Sequence, residues 1–234
     1  SLKISFEINS FSDLSKLESY LKKQFKLKNA KEFGANALYA LESAILKALA
    51  KNNGKELFEI INVVVKDIPI PVGNAIGGGL HSHFKNHPIF QEFLLIPNEK
   101  SFKENFERLT ETYESLGRKL KTYKVNDEGA WECSLDEEQV LELLSSYKEI
   151  IIGIDTASSS FLEKGKYRYK ETNRNKDKQI DYINYLIKKY KIYYMEDPLH
   201  EEDFKGFSKI ERTSRNLIVG DDLTVTHIDR LKKA

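Results

Sequence analysis

Glu149–Asp155 reads EIIIGID, a run of large aliphatic residues broken by one glycine and closed by a carboxylate. Its length and composition are those of a parallel strand buried on both faces. Two later stretches repeat the arrangement, KIYYMED at 191–197 and LIVGDD at 217–222. Helical patterns separate them: Ile180, Ile183, Ile187 and Tyr190 recur at helical spacing, and EDFKGFSKIERTS (202–214) has the composition of a second helix. Strands alternating with helices imply a parallel sheet, either open and doubly wound or closed as a barrel.

The placement of acids decides between these. Asp155, Glu196 and Asp221 each end one of the three strands, 41 and 25 residues apart. In a barrel such positions converge on one mouth, where the active sites of that architecture lie. An open nucleotide-binding sheet would carry a glycine-rich phosphate turn, and no G-x-G-x-x-G or P-loop pattern occurs. The barrel is the better reading.

Other stretches fill in the order. Residues 14–50 look helical, with Leu38, Leu41, Ile45 and Leu49 on one stripe, and Pro69, Pro71 and Gly73 interrupt the pattern. A domain boundary near residue 70 is expected, giving a helical part at 1–70 and an α/β part at 71–234. IFQEFLLIP (89–97) reads as a strand, and Ser101 with Glu104 caps a helix carrying Phe102, Phe106, Leu109, Tyr113, Leu116 and Leu120. Ser134 with Glu137 has the spacing to cap a helix over 135–147. The strand candidates after residue 70 are fewer than the eight a closed barrel needs.

Composition narrows the partners. Lys and Arg total 37 against 36 Asp and Glu, so the field is weak and neither nucleic acid nor an acidic membrane surface is implied. No apolar run approaches the roughly 20 residues that span a bilayer. The single cysteine, Cys133, excludes an internal disulfide, and with no secretory pattern at the start the expected location is the cytoplasm. The lone methionine is Met195, which points to an excerpt of a longer product.

Three carboxylates converging without counter-charge repel, and a hard divalent cation relieves them; oxygen ligands without thiolate favour Mg²⁺. The bland alternative is that each acid caps the helix after its strand. Asp197 and Asp222 are expected to serve as caps or loop hydrogen-bonding groups, since alternation along a strand turns them away from the mouth. His81, His83 and His87 offer a zinc alternative that lacks a fourth ligand. Glu92 interrupts an apolar strand, where a carboxylate is paired, exposed or functional; Glu128 sits in the small-residue loop NDEGA, able to close over a ligand.

The motifs NAIGGGLHS (74–82), QEFLLIP (91–97), NDEGA (126–130), IGIDTASSSF (152–161), YYMEDPLHEEDF (193–204) and IVGDDLTVT (218–226), with KEFGANALYALESAILKALA (31–50), together resemble the enolase family through nearly the whole chain. The resemblance implies an incomplete TIM-like barrel of enolase type, preceded by the helical part of an enolase N-terminal α+β domain. It also implies Mg²⁺-dependent, reversible dehydration of 2-phosphoglycerate to phosphoenolpyruvate. By position, Asp155, Glu196 and Asp221 match the metal ligands, Glu128 the acid that protonates the departing hydroxide, Glu92 its partner, and His81 a substrate-facing histidine. A homo-oligomer is implied for a complete protein. The pattern departs at Leu80, Ser160 and Asn126, where the family has other residues. The resemblance further implies that an N-terminal meander precedes this chain and that the catalytic base follows Ala234, so that the chain alone is expected to be inactive. Two alternatives carry the same strand-end acids: another enolase-superfamily dehydratase or racemase, and a non-catalytic enolase-like binding protein.

Overall fold

A computed structural model describes residues 4–28, 32–62, 64, 68–213 and 216–234 and divides into two units, Ser1–Ile68 and Pro69–Ala234. In the first, Leu14, Leu17 and Leu21 of α1 (Leu14–Phe25) form a small core with Leu46 of α2 (Ala35–Asn52), and α3 (Leu57–Ile61) adds Leu57 and Ile60. The helical run expected over 14–50 is therefore interrupted: α1 ends where Lys26 turns left-handed at φ 56°, and residues 29–31 lie outside the described ones. Leu46 takes the buried place expected for Leu49.

The second unit runs β1 (Gly73–Gly77), β2 (Glu92–Pro97), α4 (Phe102–Leu120), β3 (Trp131–Glu132), α5 (Glu137–Leu144) and β4 (Ile150–Asp155). Three short strands follow, β5 (Leu162–Glu163), β6 (Lys166–Arg168) and β7 (Asn173–Arg174), then α6 (Lys176–Tyr190), β8 (Tyr194–Glu196), α7 (Phe204–Phe207), β9 (Leu217–Val219) and α8 (Ile228–Lys233). The main sheet has the order β3-β1-β2-β4-β8-β9, and β5-β6-β7 form a small antiparallel sheet. Among the described residues the main sheet stays open, an incomplete barrel. No described helix is long and apolar enough to cross a membrane.

β4, β8 and β9 are parallel, as the alternation requires. β2 is not: it runs antiparallel to both β1 and β4. β1 itself follows a stretch that reads as a breaker, because its glycines carry no strand propensity. One of them answers a packing demand, since a Cβ on Gly77 would stand 2.3 Å from Asn126 Nδ2.

The helices bury one face each against this sheet. Leu116 of α4, Val140, Leu141 and Leu144 of α5, and Ile183 and Leu186 of α6 join Ile76, Phe93, Leu95, Ile154 and Met195 in one cluster. Each full burial of this kind contributes about 1.5–3 kcal/mol. Ser101 caps α4 by accepting the Glu104 amide, as expected. The cap of α5 is Asp136, paired reciprocally with Gln139, and not Ser134; the Glu137 carboxylate instead accepts the Ile89 N–H at 2.5 Å. The helix expected over 202–214 shrinks to α7, whose Gly206 has no room for a Cβ beside Asp203 and Leu199; Ser214 lies outside the described residues.

Candidate active site

The reversed direction of β2 builds the rim. Its first residue, Glu92, pairs with Gly77 at the end of β1 and with Asp155 at the end of β4. Asp155 pairs in turn with Glu196 at the end of β8, and Glu196 with Val219, two residues before Asp221. Laterally paired residues share a face, so Glu92, Asp155 and Glu196 stand as a row of carboxylates. Asp155 and Glu196 also lie with Asp197 such that one oxygen of each falls within 4.8 Å of the others.

Burial and mutual repulsion set the protonation of this row. Burial, then the charge of Glu196, pushes Asp155 up to about 8, although its carboxylate accepts the Ala157 N–H at 2.9 Å and Gln91 Nε2–H at 3.1 Å. Burial also raises Glu196, opposed by the Tyr194 hydroxyl that donates to it at 2.8 Å. The charges acting on Asp155 are all acidic, from Glu196, Glu92 and Asp197. An oxygen-only set with this excess of negative charge fits a hard divalent cation.

Asp197 does different work. It is 2% exposed, its backbone turns left-handed at φ 39°, and its carboxylate accepts the N–H groups of Asp221, Asp222 and Leu223 at 3.1, 2.8 and 3.3 Å. Those bonds fold the turn after β9 and hold Asp221 beside Glu196, whose carboxyl its charge helps to raise. Of the two acids expected to organise loops, Asp197 acts as acceptor, while Asp222 contributes its amide. Asp221 itself is exposed and falls outside the tight oxygen group.

The second cluster surrounds Glu92. Burial raises Glu92 to about 7, and the nearby charge of Glu128 adds to the shift. Glu128 accepts from Asn74 Nδ2 at 3.1 Å and faces His81 Nε2 at 3.5 Å. The other ring nitrogen of His81 meets Asp127 at 3.0 Å, and that hydrogen bond raises the imidazole. Asn126 shapes the loop by accepting the Glu128 and Ala130 N–H groups, with Gly129 at φ 79°. Glu92 can therefore carry a proton near neutrality beside Glu128.

The three histidines are not gathered: His81 faces Asp127 and Glu128, whereas His87 bonds the Pro88 carbonyl at 2.7 Å. Among the described residues the only such group of three carboxylate, imidazole or thiol ligands is Asp155, Glu196 and Asp197. Asn74, Gln91, Asp127 and Tyr194 were not legible as site residues. Only Tyr194 had a signal, standing two positions before Glu196 on the same face of its strand.

An incomplete α/β barrel whose strand ends present a cation-ready carboxylate row beside a second pair of acids, Glu92 and Glu128, defines the class. Within it, the chain belongs to the enolase family: residues 65–234 match the enolase C-terminal TIM barrel domain. The chain is 36% identical over 222 residues to the enolase of Thermoplasma acidophilum, covering 88% of this chain and 55% of that protein. It is 36% identical over 227 residues to the enolase of Methanopyrus kandleri, covering 88% and 53%. With the enolase of Methanosphaera stadtmanae it shares 33% identity over 247 residues, covering 94% and 59%. The chain thus spans about half the length of the curated relatives it matches.

Proposed function

We propose that this chain supplies the cation-binding and proton-donating parts of a site that reversibly dehydrates 2-phosphoglycerate to phosphoenolpyruvate, a step of glycolysis and gluconeogenesis. The observation that carries the reading is the lateral row Glu92–Asp155–Glu196, which sets a cation site next to an acid pair. Asp155, Glu196 and Asp221 are the ligands we assign, since the Asp197 carboxylate is committed to three amides. Mg²⁺ held there would supply positive charge to a substrate carboxylate that gains negative charge as its neighbouring carbon loses a proton.

Glu128 gives its proton to the departing hydroxide, which leaves as water, and solvent restores that proton; Glu92, raised to about 7, stands beside it as its partner. His81, its Nδ1 fixed by Asp127, presents Nε2 toward Glu128 and the substrate side. To the described rim groups we assign proton donation or charge binding, and to none of them the removal of a weakly acidic carbon proton. Expressed alone, these 234 residues are therefore expected to bind Mg²⁺ without turnover. Calorimetric Mg²⁺ titration and phosphoenolpyruvate absorbance test this: turnover by the chain alone overturns the division of labour, and absence of Mg²⁺ binding overturns the whole reading. In the complete protein, Glu128→Gln should abolish dehydration while leaving Mg²⁺ binding in place. The cytoplasm and a homo-oligomeric complete protein belong to the same proposal.

A further inference from the structure

Two buried carboxylates have no part in the proposed dehydration. Glu132, 2% exposed, and Glu137, 9% exposed, both aim at the segment that joins His81 to Glu92. Glu132 accepts from the Ser82 hydroxyl at 3.1 Å and from the His83 N–H; Glu137 accepts the Ile89 N–H at 2.5 Å. Phe84 N–H bonds the Ser82 hydroxyl in turn at 3.3 Å. The segment is thus held at its two ends by acids 49 and 48 residues further along the chain.

A buried carboxylate is costly unless its oxygens are satisfied, so both acids commit the chain to the bonds they make. The local structure gives them few other choices. Trp131 stacks on Tyr113 at 4.8 Å and donates Nε1–H to the Tyr113 carbonyl, so alternation along β3 turns Glu132 the other way, toward 82–83. Asp136 already caps α5, which frees Glu137 in the first turn to reach Ile89. At the inner side of the segment, Gly78 and Gly79 donate N–H to the Gln91 and Pro88 carbonyls, closing the loop on itself.

We propose that Glu132 and Glu137 are positioning residues that strap the 82–89 segment down and thereby hold His81 in register with Asp127 and Glu128, and Gln91 with Asp155. That these contacts serve catalysis rests on the reading of His81 and Glu128 above. The strapping itself does not, and it is measurable in this chain without turnover.

The experiment is amide hydrogen exchange across 78–91 together with the NMR titration of the His81 ring, in Glu132→Ala, Glu132→Gln, Glu137→Ala and Glu137→Gln. Removing either acid is expected to speed exchange at its end of the segment about tenfold or more, because a buried donor loses its partner. It should also bring the His81 titration down toward that of a free imidazole as the Asp127 contact loosens. The glutamine variants keep an acceptor oxygen and are expected to restore most of both readings. Unchanged exchange in the alanine variants overturns the proposal. So does loosening that is spread evenly over Pro69–Ala234, or local loosening that leaves the His81 titration in place. Should Glu132→Ala not fold, Ser82→Ala must still speed exchange at 82–84 about threefold, and no change there overturns the strap equally.

Discussion

Asp155→Asn is expected to stabilise the cation-free chain and to abolish its stabilisation by Mg²⁺. Burial and the Glu196 charge hold this carboxyl at about 8 against an ordinary 3.8, so ionising it costs more in the folded chain than in the unfolded one. Its contribution is therefore fully present below pH 3.8 and is lost as the pH rises through about 8. Taken at face value the displacement is worth about 5 kcal/mol at the top of that window; water entering an open rim reduces the measurable effect to about 2–3 kcal/mol. For a unit of this size that is about 5–10 °C in melting temperature. The amide keeps the Ala157 contact, and rotation of the Gln91 amide restores the second one. Thermal melts in chelator should then show the native chain less stable at pH 8 than at pH 5, and the variant losing less over the same range, since Glu92, raised to about 7, still titrates there. Millimolar Mg²⁺ should raise the melting temperature of the native chain at pH 8 and leave the variant unmoved. A variant that melts below the native chain in chelator at pH 8 would refute the reasoning.

Three further substitutions probe what holds the rim. Asp197→Ala orphans three amides in the turn carrying Asp221, and urea denaturation should register a loss of about 3 kcal/mol. Gly78→Ala places a Cβ 2.3 and 2.4 Å from the Pro88 and Phe90 carbonyl oxygens, backbone atoms that cannot rotate aside; a loss of about 2–3 kcal/mol is expected by the same measurement. Leu186→Ala, at a fully buried position of α6, should cost about 3 kcal/mol and leave Mg²⁺ affinity unchanged by calorimetry, since it touches the core and not the rim.

Strand β4 was legible because burial on both faces leaves no polar positions in Ile150–Ile154, and α6 because Ile180, Ile183, Ile187 and Tyr190 recur at the spacing of one face; β9, read as equally buried, leaves Leu217 exposed at the end of the sheet. β1 was not legible, because a strand framed by Gly73 and Gly77 has the local chemistry of a turn. The cap of α5 was misplaced by two residues because Ser134 and Asp136 both have a suitable partner three positions on, and only the pull of Ile89 on Glu137 separates them.

What the amino-acid order determined by itself is therefore the alternating α/β architecture and the lateral alignment of Asp155 with Glu196, since both follow from burial patterns within short windows. Tertiary structure alone decided the rest. The direction of β2 depends on pairing with strands before and after it, and that direction brings Glu92 to the rim beside Asp155, 63 residues away. The division of labour between Asp197 and Asp221 likewise depends on which carboxylate finds the three amides of the turn after β9. Local patterns record which side chains must leave water; which partners they then meet is settled only when distant segments close on one another.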